Sequence, residues 1–330
     1  MVDVPPITSD LRYVMCLYPK LIRNRKYMIN NKNGGIIPPV KDDRVLLVAV
    51  GCQNCIECRK QKSREWLSRL NEDIKVHKNA HFVTLTFSDE SYNELRKEVP
   101  YYPDEYKTDN EIATLAVRRF LERWRKKYSK SVRHWLITEL GGGHSERIHL
   151  HGLIYTDNKN DIDLLWKYGY TWLGYSMNES VISYVIKYCH KTDLVHKNYK
   201  PIILCSKGIG RNYIDSHNAT INRYKGTKTK ETYTLNNGKE IGLPKYYRNN
   251  IYNDDERESL WLNLLDKNKR YVLGQEINMT DENSIKEYYT CLDIARAKNA
   301  RLGFGSDEIN WELKRYENER RKLIRKQKRS

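Results

Sequence analysis

Apolar residues along this chain repeat with two periods, and the change from one to the other marks the elements. Residues 81–87 alternate apolar and polar side chains, the period-two signature of a half-buried strand. Residues 88–90 (Ser-Asp-Glu) read as a turn after it. Before this strand, Trp66, Leu70 and Ile74 recur every four residues and predict a helix from Arg59 to about Val76. A second helix is expected over 110–128, with Ile112, Leu115, Phe120, Leu121 and Trp124 on its apolar side. Residues 131–140 and 147–155 read as two strands joined by a turn at Gly141, Gly142 and Gly143. After a loop at 156–160 and a Trp/Tyr/Gly-rich patch at 166–175, residues 178–191 predict a helix capped by Asn178 or Ser180.

The flanks are less regular. Residues 13–17 and 45–50 are short apolar runs separated by an Asn/Gly/Pro-rich stretch. Residues 232–243 predict a hairpin around Asn237-Gly238. From Asp255 onward a mainly helical pattern is expected, ending in the basic run 320–329. Strands linked by hairpins and interrupted by helices imply an α+β fold: a central antiparallel sheet with flanking helices, plus a mainly helical C-terminal region.

Charge narrows the class of partner. Fifty-nine Lys and Arg against 42 Asp and Glu leave +17 over 330 residues, which favours a polyanion such as nucleic acid. Twenty-five tyrosines lie among these cations, a mixture suited to base stacking beside phosphate contacts. No apolar run approaches the roughly 20 residues of a membrane span, so a membrane partner is not expected. The opening residues show no secretion signal, so the seven cysteines are read as reduced thiols or metal ligands and the site of action as a cytoplasm.

Three groups of residues could carry chemistry. His149 and His151, two apart on a strand, project from one face and suit a divalent metal. Glu139, at the end of the preceding strand, is expected beside them and would complete an N/N/O donor set. Cys52, Cys55 and Cys58 are spaced to wrap one metal, and a structural zinc would need a fourth ligand from among Cys16, Cys189, His77 and His81. Tyr184 and Tyr188 lie one helical turn apart. With Val181 and Val185 they equally fit a core stripe, and spacing does not choose between the two readings. A further basic turn at 206–211, with Gly208 and Gly210, could cradle a phosphate.

In their order along the chain, these segments resemble the HUH endonucleases that start rolling-circle replication, in particular the replication initiators of small single-stranded-DNA phages of the microvirus group, the gokushoviruses among them. The resemblance rests on Cys-x2-Cys-x2-Cys-Arg leading into 63–66, the strand at 82–86, Glu139 before a glycine turn, His149-Leu150-His151, Tyr184 to Tyr188, and 243–247. The chain departs from it at Gly51-Cys52-Gln53 and in the triple glycine after Leu140.

The resemblance implies an RNA-recognition-motif-like nuclease core over 61–215. An N-terminal β and cysteine segment (1–60) would precede it, and a hairpin and basic helical region (216–330) would follow. It further implies Mg²⁺ or Mn²⁺ on His149, His151 and Glu139, and attack on origin DNA by Tyr184 or Tyr188 assisted by Lys187. A covalent 5′-phosphotyrosyl adduct and later rejoining of the ends would follow. Viral single-stranded and replicative-form DNA, with host helicase and polymerase, would be the partners in a bacterial cytoplasm. Rival readings are a non-catalytic nucleic-acid-binding protein with a structural zinc, a metal phosphodiesterase that activates water, and an HUH relaxase or transposase.

Overall fold

A computed structural model describes residues 16–142, 146–191, 195–196 and 199–304, with 315, 318–319, 321–322 and 325. Most of the basic run 320–329, and residues 13–15 of the first apolar run, lie outside the described residues. The chain forms two units. One takes residues up to Gln61, Asn222–Glu231 and the chain from Arg248, and the other takes Lys62–Ile221 and Thr232–Tyr247.

The first unit begins with an antiparallel pair, β1 (Lys20–Arg23) and β2 (Leu47–Val50). The cysteine run follows and leads into α1 (Ile56–Val76), which continues into the second unit. There the chain makes β3 (Ala80–Leu85), α2 (Asp89–Glu98), α3 (Glu105–Tyr128), β4 (Arg133–Leu140) and β5 (Ile148–Tyr155). It goes on through α4 (Asn160–Leu165), β6 (Thr171–Ser176), α5 (Glu179–Ile186) and β7 (Ile203–Cys205). The small hairpin β8 (Thr232–Thr234) and β9 (Glu240–Gly242) and then α6 (Lys245–Ile251) follow. The first unit closes with α7 (Asp254–Asp266), β10 (Lys269–Val272), β11 (Gln275–Asn278) and α8 (Glu282–Arg301).

The α+β expectation holds. Five strands form one sheet in the order β6-β3-β5-β4-β7, every neighbour antiparallel. Strand alternation sorts its side chains. Leu136, Leu140, Ile148, Leu150, Ile154, Val83 and Leu85 face one core, which α2, α3 and α4 cover with Leu95, Ile112, Ala116, Phe120 and Ile162. Trp135, Ile137, Leu153 and Phe82 face the other, covered by Leu70 of α1 and by Ile182, Val185 and Ile186 of α5. Gly152 has no room for a side chain, because a Cβ there would lie 2.1 Å from the carbonyl oxygen of Trp135.

Three local readings change. Ser88 ends no turn; it caps α2, its side chain accepting from the Ser91 amide at 3.2 Å, and Leu95 anchors that short helix in the core. Turns and N-caps use the same residue types, and burial one turn later separates them. The second half of the patch at 166–175 forms strand β6, on the sheet edge beside β3. The C-terminal helices are interrupted by the hairpin β10–β11, which turns at Leu273 and Gly274 with φ of 52° and 87°. A leucine in that conformation is uncommon, so the residue types give little warning of the turn.

Candidate metal and tyrosine site

Antiparallel register builds the site. Glu139 of β4 lies directly opposite His149 of β5, so the two side chains share a face, and His151 stands two residues along that same face. The Nε2 atoms of His149 and His151 lie 3.2 and 2.9 Å from one carboxylate oxygen of Glu139. Two donors at right angles and about 2.1 Å from a common ion would be separated by about 3 Å, so these spacings suit a divalent ion.

Each imidazole is held from behind. His151 Nδ1 lies 3.0 Å from Thr84 Oγ1, and His149 Nδ1 lies 3.2 Å from the Arg147 carbonyl oxygen. For His149 the carbonyl can only accept, so Nδ1 carries a proton, and with an ion bound Nε2 would present its lone pair to the metal. Thr84 stands opposite His151 in the β3–β5 register, a contact that the sequence reading did not single out. Thr84→Val is expected to weaken divalent-metal binding by about 10- to 100-fold while the fold persists, measured by calorimetric titration with Mn²⁺.

Electrostatics concentrate on Glu139. Burial works against its charge, but hydrogen bonds with His149, His151 and Lys191 hold the carboxyl well below the usual range. Burial lowers the affinity of His151 for a proton and so favours the neutral ligand form. Lys191 is the lysine on Glu139. Lys187 instead places its Nζ 5.8 Å from the ring centre of Tyr184. Only tertiary contact distinguishes these two cations, which sit one turn apart.

The tyrosine helix is capped as expected by Asn178, whose side chain accepts from the Val181 amide at 3.0 Å. Its buried stripe is Ile182, Val185, Ile186 and Cys189, one position on from the stripe containing the tyrosines. Tyr184 is therefore 48% exposed and Tyr188 half-buried at the helix edge. At Lys187–Cys189 the helix tightens to a 3₁₀ turn. The Tyr188 ring stacks on His151 with centroids 4.2 Å apart and planes 12° apart, and its hydroxyl lies 2.8 Å from that of Tyr184. Burial, then the Tyr184 hydroxyl, then the Glu139 charge push the Tyr188 phenol up. An ion on the adjacent imidazoles would oppose that shift. Phe82, edge-on to both Tyr184 and Trp172, completes an aromatic margin.

In the first unit, Cys16 joins Cys52, Cys55 and Cys58, and the four sulfurs lie within 4.8 Å of one another. This selects Cys16 from the four candidate ligands; Cys189 is buried in the core beneath α5. The Cys16–Cys55 separation of 3.9 Å matches the roughly 3.8 Å edge of a tetrahedron with 2.3 Å metal–sulfur bonds. Backbone amides of Tyr18 and Cys52 point at Cys16 Sγ (3.4 and 3.1 Å), and that of Cys55 points at Cys52 Sγ (3.2 Å). Amides aimed at sulfur favour the thiolate form that a metal requires. Both groups can thus hold a metal.

Known proteins resemble the chain in this region. Residues 80–193, which span Glu139, both histidines and both tyrosines, match the family of the replication-associated protein ORF2. The replication-associated protein VP4 of Bdellovibrio phage phiMH2K is 26% identical over 228 residues, covering 61% of this chain and 66% of the relative, just under two thirds of its length. No solved structure matches. Among the described residues no helix is long and apolar enough to cross a membrane. Domain match and relative, both replication-associated proteins, agree with the resemblance carried by the sequence motifs.

Proposed function

We propose that the chain nicks single-stranded origin DNA through Tyr184 or Tyr188 and later rejoins the ends. The observation carrying this reading is the placement of both phenol groups at the mouth of the Glu139–His149–His151 set, with Tyr188 stacked on His151. A Mg²⁺ or Mn²⁺ held by these three residues would supply Lewis-acid polarisation of the scissile phosphate and lower the cost of a phenolate nearby. The attacking tyrosine oxygen forms a bond to phosphorus as the bond to the 3′-oxygen breaks. The 3′-oxygen takes up a proton and becomes a primer end, and the 5′-phosphate stays on the tyrosine. Lys187 and Lys191 hold positive charge around the two rings, at 5.8 and 5.7 Å from their centres. Reversal of the step by a new 3′-OH reseals a circle without a nucleotide cofactor, because the phosphotyrosyl bond conserves the energy of the one broken.

Two tyrosines in hydroxyl contact suit an alternating scheme, in which one carries the first 5′ end while the other cuts the regenerated origin. Viral single-stranded and replicative-form DNA would be the substrates, in a bacterial host that supplies helicase and polymerase. The test is incubation of the protein with origin-like single-stranded DNA and Mn²⁺. A DNA–protein band that survives denaturation should form, and EDTA or His149→Ala should reduce it by at least about 10²-fold. Products with two free ends would instead favour the water-activating phosphodiesterase. Salt-dependent binding without any cleavage would favour the non-catalytic protein.

The Cys16, Cys52, Cys55 and Cys58 group is proposed to hold a structural zinc, four thiolates leaving no open position for a substrate. Arg59, whose guanidinium donates to Asn54 Oδ1 at 2.8 Å, lies near the group and offsets part of its negative charge.

A further inference from the structure

The basic turn at 206–211 has no part in the nicking scheme, yet it is firmly built against α1. Arg133 pairs through two nitrogens with Asp73 and also donates to the Gly208 carbonyl at 3.0 Å. The same Asp73 carboxylate accepts from the Gly210 amide at 2.7 Å. Gly210 sits at φ 72°, and a Cβ there would come within 2.5 Å of the Arg69 carbonyl oxygen, so only glycine lets the turn approach this closely.

Beside the turn opens a cavity of about 780 Å³, lined by Trp66, Arg69, Arg133, Lys207, Arg211 and Tyr246 among others, with no carboxylate among its lining residues. The Arg69 guanidinium lies 4.0 Å from the Trp66 ring centre and 4.1 Å from that of Tyr246. Its Nε donates to the Ile209 carbonyl at 3.0 Å. No hydrogen-bond partner for its two terminal nitrogens is seen among the described residues. A planar cation fixed between two rings, with its outer nitrogens open, presents the fork geometry that a phosphate accepts. Lys207 and Arg211 stand exposed at the rim.

We infer that this cleft grips the sugar–phosphate backbone of the single strand that flanks the nick. The inference rests on the nicking reading for the identity of the strand. Arg133, Trp135, Ile137 and Glu139 alternate onto one face of β4, so cleft and metal site share that face of the sheet. Six residues at ~3.3 Å each separate them by roughly 20 Å. At ~3.4 Å per stacked nucleotide that is about six nucleotides of flank.

The test is fluorescence anisotropy of the full-length chain with a 20-nucleotide oligothymidylate, without added divalent metal, from 50 to 200 mM salt. Lys207→Glu with Arg211→Glu should weaken binding at least about tenfold. Loss of two contacts should also lower the slope of log affinity against log salt by about 1.4. Lys97→Glu with Lys159→Glu changes the net charge equally on exposed positions of α2 and the α4 cap, and should move affinity far less. Unchanged thermal melts would confirm that both pairs fold. The inference is overturned by equal losses in the two pairs, by an unchanged salt slope, or by an oligouridylate that binds more tightly than the DNA and loses more on substitution. A wild-type chain that forms no covalent adduct but shows the cleft effect would sink the nicking reading and leave the cleft standing. An adduct-forming chain whose cleft pair binds normally would do the reverse.

Discussion

Tyr184→Phe with Tyr188→Phe is expected to abolish the denaturation-resistant DNA–protein band, a loss of at least about 10³-fold, with DNA binding retained. The pair removes two oxygen atoms and little else. Phenylalanine at 188 keeps the ring that stacks on His151, and phenylalanine at 184 keeps the edge contact with Phe82. Ile182, Val185, Ile186 and Cys189, which bind the helix to the sheet, are untouched. Each single variant should still form an adduct through the remaining hydroxyl and lose the second transfer, so linear products accumulate at the expense of circles. The readout is a denaturing gel with labelled DNA, with circular product scored on a substrate carrying two origins. An adduct persisting in the double variant would move the nucleophile elsewhere.

Cys16→Ser is expected to lower bound zinc well below one per chain and to unfold the first unit, seen as a lost melting transition and rapid proteolysis. Apparent binding energies of about 10–16 kcal/mol for four-ligand zinc sites exceed the whole stability of an ordinary domain, so folding of that unit would depend on the ion. The four cysteines lie in one core with Val272, Ile277, Tyr288, Leu292, Ala295 and Phe304. Asn299 of α8 accepts the Ile56 amide at the start of α1 at 2.8 Å, and Arg296 donates to the Leu17 carbonyl at 3.1 Å. Without the ion, four sulfurs would crowd this core with no shared partner. Metal content by mass spectrometry and thiol reactivity under native conditions measure the effect apart from any nuclease assay. Cys205→Ser, outside the cluster, should leave the metal content unchanged. A chain that folds and melts normally without zinc would refute the assignment.

Much of the second unit was legible because its elements are long and periodic. Glu139 and His149 lie on strands that neighbour each other in sequence, and their antiparallel register puts the two residues opposite each other, although Gly143 of the expected turn lies outside the described residues. The Asn237-Gly238 hairpin and the Asn178 cap were readable for the same reason, since short-range sterics and hydrogen bonding decide them. Elements with mixed signals were not readable. The cap of α2 looked like a turn, edge strand β6 lacked alternation, and β10–β11 turned on a leucine.

What residue order determined by itself is the inventory of chemistry: paired imidazoles on one strand face, a carboxylate across a turn, two phenols one turn apart, and three thiols at metal spacing. Tertiary structure alone decided between readings that spacing leaves equal. It buried the stripe beside the tyrosines and exposed their hydroxyls, set Lys191 on Glu139 and Lys187 beside Tyr184, and brought Cys16 across 36 residues to complete the thiol group. It also closed the 206–211 turn onto Arg69. The physical reason is common to all four: periodicity specifies directions around a single element, whereas contact between elements depends on how their faces pack, and no local pattern encodes that.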